Sequence, residues 1–404
     1  MKVFAALVLQ LMTAFLQAAP AADLQVATNF PGGSAKVESI DQKTRTVQLM
    51  PGGPKERGWV CWWYFKLSGG TPGETIMLDV GHTAMAAPDQ VFFSYDGRQW
   101  RQTAHCKRNG SRATYKQRID QSEIYFAWGP PFVLSDAQAL VKDAAARSEY
   151  VTAFELTKSR EGRAVPGLRM SFPGESGDKR HGFWIQARQH AWECGSSWVC
   201  RGLVEWLLSE EPRAVRLRTA SDFRIIPIMD VDSVEAGNGG KQQQPHDHAR
   251  DWCDTPQWPE VAAAVKEIRE MKAAGHFDGF VDLHNPAPKN RQPFFYVPPA
   301  SLLSPASVQK RLRFLEAAHM EIRAPLQLAD EPKETGPDYD PMWKQIGTVW
   351  IVENIDGDPL ACTLETSWNT PHSTAEGYRQ VGRQLGLALD RWLHDSLHHD
   401  KTVE

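Results

Sequence analysis

Gln186-Ala-Arg-Gln-His-Ala-Trp-Glu-Cys-Gly-Ser-Ser-Trp198 carries the chain out of the apolar run Phe183-Trp-Ile185. Phe183 to Arg188 reads as a buried strand, and Ser196 to Ser209 as a helix with Trp198, Leu203, Trp206 and Leu207 at helical spacing. The segment between them holds an imidazole, His190, and a carboxylate, Glu193, three residues apart at a strand end. That spacing suits two ligands of one metal ion. Alone it is weak, because a hydrogen-bonded His-Glu pair at a helix start has the same pattern.

The same strand-then-helix alternation continues on either side. Asp136 to Ser148 reads as a helix with Ser135 as N-cap. Phe223 to Met229 reads as a strand, Val261 to Ala274 as a helix, Phe280 to His284 as a strand and Val308 to Ile322 as a helix. Thr348 to Asn354 and Leu360 to Glu365 read as strands, and Ala375 to Leu397 as a closing helix. Alternation of this kind predicts an α/β region with a mixed, mostly parallel, doubly wound sheet covered on both faces. Ligands in such sheets gather at the carboxyl ends of strands. His284 closes Phe277-Asp-Gly-Phe-Val-Asp-Leu-His284, and Glu365 closes Ala361-Cys-Thr-Leu-Glu365. His190, His284 and Glu365 are therefore all expected at one end of one sheet.

Ahead of this region, Leu24 to Ala127 reads as β structure. Its runs are Trp59–Leu67, Thr75–Val80 and Gln90–Tyr95, and Asp96-Gly97 is a hairpin turn. A small all-β sandwich over residues 23–130 is expected, followed by the α/β domain over residues 131–404. Trp62, Trp63 and Trp100 are expected to fill its core rather than form an exposed platform. Residues 1–22 read as a secretory signal: Lys2, the apolar stretch Val3–Leu16, then small residues. The expectation is an exported, secreted or periplasmic protein with no membrane attachment after signal removal. The six cysteines allow 15 pairings, with Cys61–Cys106 the favoured bridge. A net charge of -4 gives no basic face for nucleic acid. The tail from His394 to Asp400 reads as helix end and solvated terminus, not as a metal site.

Two imidazoles and one carboxylate with an open fourth position hold a hydrolytic zinc. They leave it net positive, so that it acidifies water and polarises a carbonyl. A separate glutamate is then the usual general base.

At this point the chain resembles a known family, the funnelin zinc carboxypeptidases, in the branch typified by the cytosolic carboxypeptidases. Arg188-Gln-His190-Ala-Trp-Glu193-Cys-Gly-Ser-Ser-Trp198 is similar to that branch's zinc motif. Ile226–Ser233 is similar to its strand and turn, and His246-Asp-His-Ala249-Arg250-Asp-Trp252 to its D-x-N-R-x-W segment. Asp282-Leu-His284 resembles its D-L-H, and Thr363-Leu-Glu365-Thr-Ser its T-L-E-x-S. Trp62–Phe65 and Tyr125–Pro131 resemble the β-domain ahead of the catalytic domain in this branch. The resemblance implies a carboxypeptidase-like fold in an exported, bacterial-type member. It implies one zinc per chain on His190, Glu193 and His284, with Glu365 as general base. Arg250 matches the arginine that binds the substrate's terminal carboxylate. Lys241 falls near the arginine that stabilises the oxyanion. Tyr339 is the candidate specificity tyrosine. By analogy the β-domain packs beside the active-site mouth and restricts substrate shape.

The departures from the pattern are Ala249 for asparagine, Ala191-Trp192 for Pro-Gly, and an altered turn at Asp230–Ser233. They leave a zinc amidase or deacylase on a small N-acyl or peptidoglycan-like substrate as the alternative. An inactive binding module is the reading from another class. His246 and His248 read as polar loop residues beside the site. Asp282 is a candidate partner for His284, though its side chain is read as directed away from the histidine.

Overall fold

The computed structural model describes residues 22–81, 84–174 and 180–400. The expected signal segment, 1–22, lies outside them except for its last residue. No described helix is long and apolar enough to cross a membrane.

The N-terminal region is all β. Its strands are β1 (Gln25–Ala27), β2 (Lys36–Asp41), β3 (Thr46–Met50), β4 (Tyr64–Ser68), β5 (Thr75–Gly81), β6 (Phe92–Ser94), β7 (Arg101–Gln102), β8 (Lys107–Asn109), β9 (Arg112–Arg118) and β10 (Ile124–Ala127). They form two five-stranded sheets, β1-β4-β10-β6-β7 and β2-β3-β5-β9-β8. Alternate residues face inward, as the period of two requires. Phe65 and Leu67 on β4 and Leu78 and Val80 on β5 are fully buried. Trp62 and Trp63 are buried as expected, and Trp100 meets the Tyr64 ring edge-on at 5.5 Å. The β6–β7 hairpin turns at Asp96-Gly97, where Gly97 has φ +68 and Asp96 Oδ1 accepts from the Arg98 and Gln99 amides.

The second region runs α1 (Leu134–Ala145), β11 (Val151–Lys158), β12 (Ala164–Ser171), β13 (His181–Ala187), α2 (Cys194–Leu207), α3 (Pro212–Ala220), β14 (Ser221–Ile226), α4 (Val231–Glu235), α5 (Pro259–Ala273), β15 (Gly279–His284), β16 (Phe294–Val297), α6 (Pro305–Glu321), β17 (Lys333–Glu334), α7 (Gly347–Asn354), β18 (Leu360–Glu365) and α8 (Ala375–Asp400). Its eight-stranded sheet has the order β11-β12-β14-β13-β15-β18-β16-β17. The central pairs β14–β13, β13–β15 and β15–β18 are parallel, and antiparallel strands flank them. The central strands are buried at nearly every position because helices cover both faces. α2 and α8 pack on one side, with Gly202 and Gly382 at their closest approach, where a Cβ would meet backbone at 2.0 Å.

Three local expectations differ. Thr348 to Asn354 is helix, not strand. Its branched residues suggest β structure, but a short apolar run has no decisive period. Burial of Val349, Trp350 and Ile351 against the sheet settles the matter. Ser135 lies inside α1, and the Asp136 carboxylate takes the free Val133 amide at 2.8 Å instead. All six cysteines are unpaired thiols. Cys61 is buried, and Cys106 Sγ lies 3.9 Å from the Pro88 carbonyl, so the expected bridge is not formed. His246 and His248 sit in polar pairs, in line with the reading of both as polar loop residues, on Asp251 at 2.6 Å and on Gln189 at 3.3 Å. Helix α8 continues to Asp400, and the tail side chains beyond His394 lie outside the description.

Candidate active site

The chain leaves β13 through a turn that local sequence alone does not favour. Arg188 adopts φ +67 and is buried. Its Nε donates to the Ala191 carbonyl at 2.8 Å and its Nη1 to the Phe132 carbonyl at 3.0 Å. Burial without a paired carboxylate pushes its pKa down to about 10. The bonds from this one side chain hold the loop that presents His190. Glu193 then occupies the N-cap position of α2, its side chain turned to the histidines rather than to the helix amides. Gly240, at φ +79, lies so close that a Cβ would sit 2.6 Å from the Ala191 amide nitrogen, so this crossing admits only glycine.

His190 Nδ1 is 2.9 Å from Glu193 Oε1, and His284 Nδ1 is 2.7 Å from Glu193 Oε2. The Asn285 amide donates to the same Oε2 at 3.1 Å. The three residues offer ligand atoms within 4.8 Å of one another. Each imidazole is gripped from behind: His190 Nε2 lies 3.0 Å from Asp247 Oδ1, and His284 Nε2 lies 3.2 Å from Asp282 Oδ2. Carboxylates in that position fix ring orientation and raise ligand basicity. Asp282 therefore points toward His284, not away. Residues two apart on a strand share a face, and the opposite reading misapplied the period.

The electrostatics belong to a site built around a cation. Burial opposes charge on Glu193, but the His190 and His284 charges hold its carboxyl well below the usual range. His284 is pulled well above its ordinary value; burial opposes this, and Asp282 and Glu193 outweigh it. Asp247 is held well below the carboxylate range by His190 and Lys241, against burial. Metal binding to imidazole and carboxylate ligands of this kind competes with protons. Two nitrogens and a carboxylate converging on one point, with oriented rings behind, fit zinc.

The cleft also contains Glu365, beside His284 in the β15–β18 register. Its Oε2 is buried without a partner among the described residues. Burial first, then the Glu193 charge, pushes its pKa up to about 8. Arg250 is 8% exposed in its side chain; its Nε meets Asp340 at 3.0 Å and its guanidinium lies 5.7 Å from the Tyr339 ring. Tyr339 packs on Tyr296 at 4.8 Å. Lys241 Nζ lies 3.8 Å from Asp247 Oδ2 and 5.6 Å from the Trp59 ring. All seven residues singled out in the sequence line this one cleft.

Four contributors were missed. Asp247 lay unassigned in the His246–Arg250 segment, three residues before Arg250. Tyr296, Asn285 and Trp59 reach the cleft from β16, from the loop after β15 and from the β-region, and no local spacing marks them. The Ala191-Trp192 departure has a structural use. Trp192 meets Trp128 at 5.3 Å and Trp368 at 5.8 Å, and those two meet each other at 4.8 Å. The triad ties the end of the β-region, the His190 loop and the segment after Glu365 into one floor.

Asp247→Asn is expected to weaken zinc binding roughly 10- to 100-fold with little change in fold. Chelator competition on the purified protein measures this; unchanged affinity would remove Asp247 from the support of His190.

Fold and site together define a metallohydrolase with a His-Glu-His centre and an adjacent carboxylate. Two family models match the chain: zinc carboxypeptidase over residues 137–286 and cytosolic carboxypeptidase N-terminal domain over residues 26–128. The chain is thus similar to the zinc carboxypeptidases over its α/β region and to the N-terminal domain of the cytosolic carboxypeptidases over its β-region. An uncharacterised protein of Zymomonas mobilis is 26% identical over 65% of this chain and 67% of its own length. Human cytosolic carboxypeptidase 6 is 29% identical over 41% of this chain and 34% of its own. The aligned part spans between 14% and 34% of the cytosolic carboxypeptidases matched. A metallo-carboxypeptidase structure from Burkholderia cenocepacia has a TM-score of 0.78 at 22% identity, covering 95% of this chain and all (100%) of that one. One from Pseudomonas aeruginosa, in complex with (2-guanidinoethylmercapto)succinic acid, has a TM-score of 0.76 at 20% identity, covering 92% and 99%. These matches favour the carboxypeptidase expectation over the amidase alternative.

Proposed function

We propose that this chain removes C-terminal amino acids from peptides, with one zinc ion per chain held by His190, Glu193 and His284. The observation that carries the reading is the convergence of both Nδ1 atoms on Glu193 in the cleft that also holds Glu365 and Arg250. Bound zinc supplies Lewis acidity, drawing water toward ionisation at neutral pH and polarising the scissile carbonyl. Glu365 takes a proton from the attacking water and delivers it to the leaving amine. Arg250 receives the terminal carboxylate. Its own charge is favoured by Asp247, Tyr339 and Asp340, against burial. Lys241 offers a single positive charge to the oxygen that becomes negative, without the fork of an arginine. Tyr339, packed on Tyr296 and beside Arg250, closes over the terminal residue. The N-terminal apolar stretch supports a secreted or periplasmic location, which fractionation of the full-length chain would test.

The deciding experiment is mass-spectrometric readout of a mixed peptide library, half of it C-terminally amidated, with zinc-loaded protein. Loss of single residues from free-acid peptides alone is the expected result. Equal trimming of the amidated half, or none of either, would overturn the reading. On free-acid peptides, Arg250→Ala is expected to lower kcat/KM roughly 10²- to 10³-fold, the scale of truncating a buried, hydrogen-bonded charge pair. Most of the loss should appear in KM, and Arg250→Lys should recover only part of it.

A further inference from the structure

Gln189 stands between Arg188 and His190 and is fully buried. A side-chain amide buried this deeply must place both its N–H donors and its acceptor, and its two ends have the same shape. Here the surroundings leave one arrangement. Trp252 Nε1 lies 3.0 Å from one end of the amide. An indole N–H only donates, so that end is the oxygen. His248 Nδ1 meets the same oxygen at 3.3 Å. The amide nitrogen is thereby turned to the other side, where it donates to Asp282 Oδ2 at 2.5 Å. The indole that makes this assignment is itself clamped. It meets Phe280 at 5.2 Å and Trp350 at 6.1 Å, and a Cβ on Gly347 would come within 3.0 Å of its Cε2.

Asp282 Oδ2 is also the atom that faces His284 Nε2 at 3.2 Å. The other oxygen, Oδ1, has no hydrogen-bond partner among the described residues. One oxygen thus carries both contacts, and Gln189 is what fixes the carboxylate from the side away from the histidine. A carboxylate so placed accepts the Nε2–H of His284, which leaves Nδ1, on the Glu193 side, as the nitrogen offered to a metal.

We infer that Gln189 is a positioning residue for the metal centre: its amide, oriented by Trp252, locks Asp282 against His284 and so fixes which imidazole nitrogen is offered to the ion. The inference rests on the reading of His190, Glu193 and His284 as zinc ligands. A position that needed only to be filled would be served as well by an apolar side chain of the same length. Gln189 instead joins a clamped ring, two residues past Arg250, to the carboxylate behind a ligand on β15.

The test is zinc affinity by chelator competition on the full chain, read without substrate. Gln189→Met, close in length and volume, is expected to weaken zinc binding about tenfold, the low end of what loss of a partner behind a ligand costs. Asp282→Ala should cost more, up to about 100-fold. Because Gln189 acts through Asp282, adding Gln189→Met to Asp282→Ala should weaken binding no further, whereas a merely structural role would give losses that add. Trp252→Phe keeps an aromatic ring and removes the donor, and is expected to weaken zinc binding several-fold with Gln189 intact. Circular dichroism and zinc-free melting establish that each variant is folded. Unchanged zinc affinity in either folded single variant, Gln189→Met or Trp252→Phe, or a Gln189→Met loss that adds to that of Asp282→Ala, overturns the assignment. Wild-type protein that takes up no zinc overturns the metal reading itself, and zinc-loaded wild type that trims no peptide overturns the carboxypeptidase reading alone.

Discussion

Glu365→Gln lowers turnover roughly 10²- to 10⁴-fold, the range for a general acid-base group, and leaves zinc in place. The amide keeps the shape of the side chain at the end of β18 and cannot accept a proton. KM should move little, because Arg250 and Tyr339 are untouched. Steady-state kinetics with zinc content measured on the same sample decides it. Full activity in the zinc-loaded variant would place the base elsewhere. The same substitution has a second signature in zinc-free protein. Glu365 titrates near 8 there, against about 4.3 in an unfolded chain. The folded state then binds the proton more tightly, so this contribution to stability is full below about pH 4 and is lost as pH rises through 8. The melting temperature of zinc-free wild type should therefore fall relative to that of Glu365→Gln between about pH 5 and 8.

His190→Ala should cost about 10³-fold in zinc affinity, taking each ligand as a share of the 10–16 kcal/mol typical of structural zinc sites. Activity falls to background and added zinc does not restore it. Chelated wild type is the matched control, since zinc restores that protein. The substitution also leaves Asp247 Oδ1 and Glu193 Oε1 each without its imidazole. Some loss of zinc-free stability is therefore expected and must be measured separately. Full zinc occupancy in the variant would refute His190 as a ligand.

The grouping of His190, Glu193 and His284 was legible in the sequence because these residues lie at or just past strand ends. His284 and Glu365 each close a strand and His190 lies just past one, and a parallel sheet brings such ends together. The parts that were not legible depend on tertiary approach. Asp247 reaches His190 across 57 positions of chain, and Trp59 reaches the cleft from another layer of the protein. Nothing in their neighbours announces this. The segment Thr348–Asn354 shows the other limit: its composition favours a strand, and packing on the sheet makes it α7. Asp282 was misread although its spacing from His284 already set the two side chains on the same face.

The tryptophan floor has a consequence for how such proteins can be recombined. Trp128 comes from the end of the β-region, Trp192 from between the metal ligands, and Trp368 from just past Glu365. Grafting a foreign N-terminal unit onto this catalytic unit would change one wall of a three-way joint beneath the reaction centre. The two units are expected to diversify together, as a matched pair rather than as interchangeable cassettes.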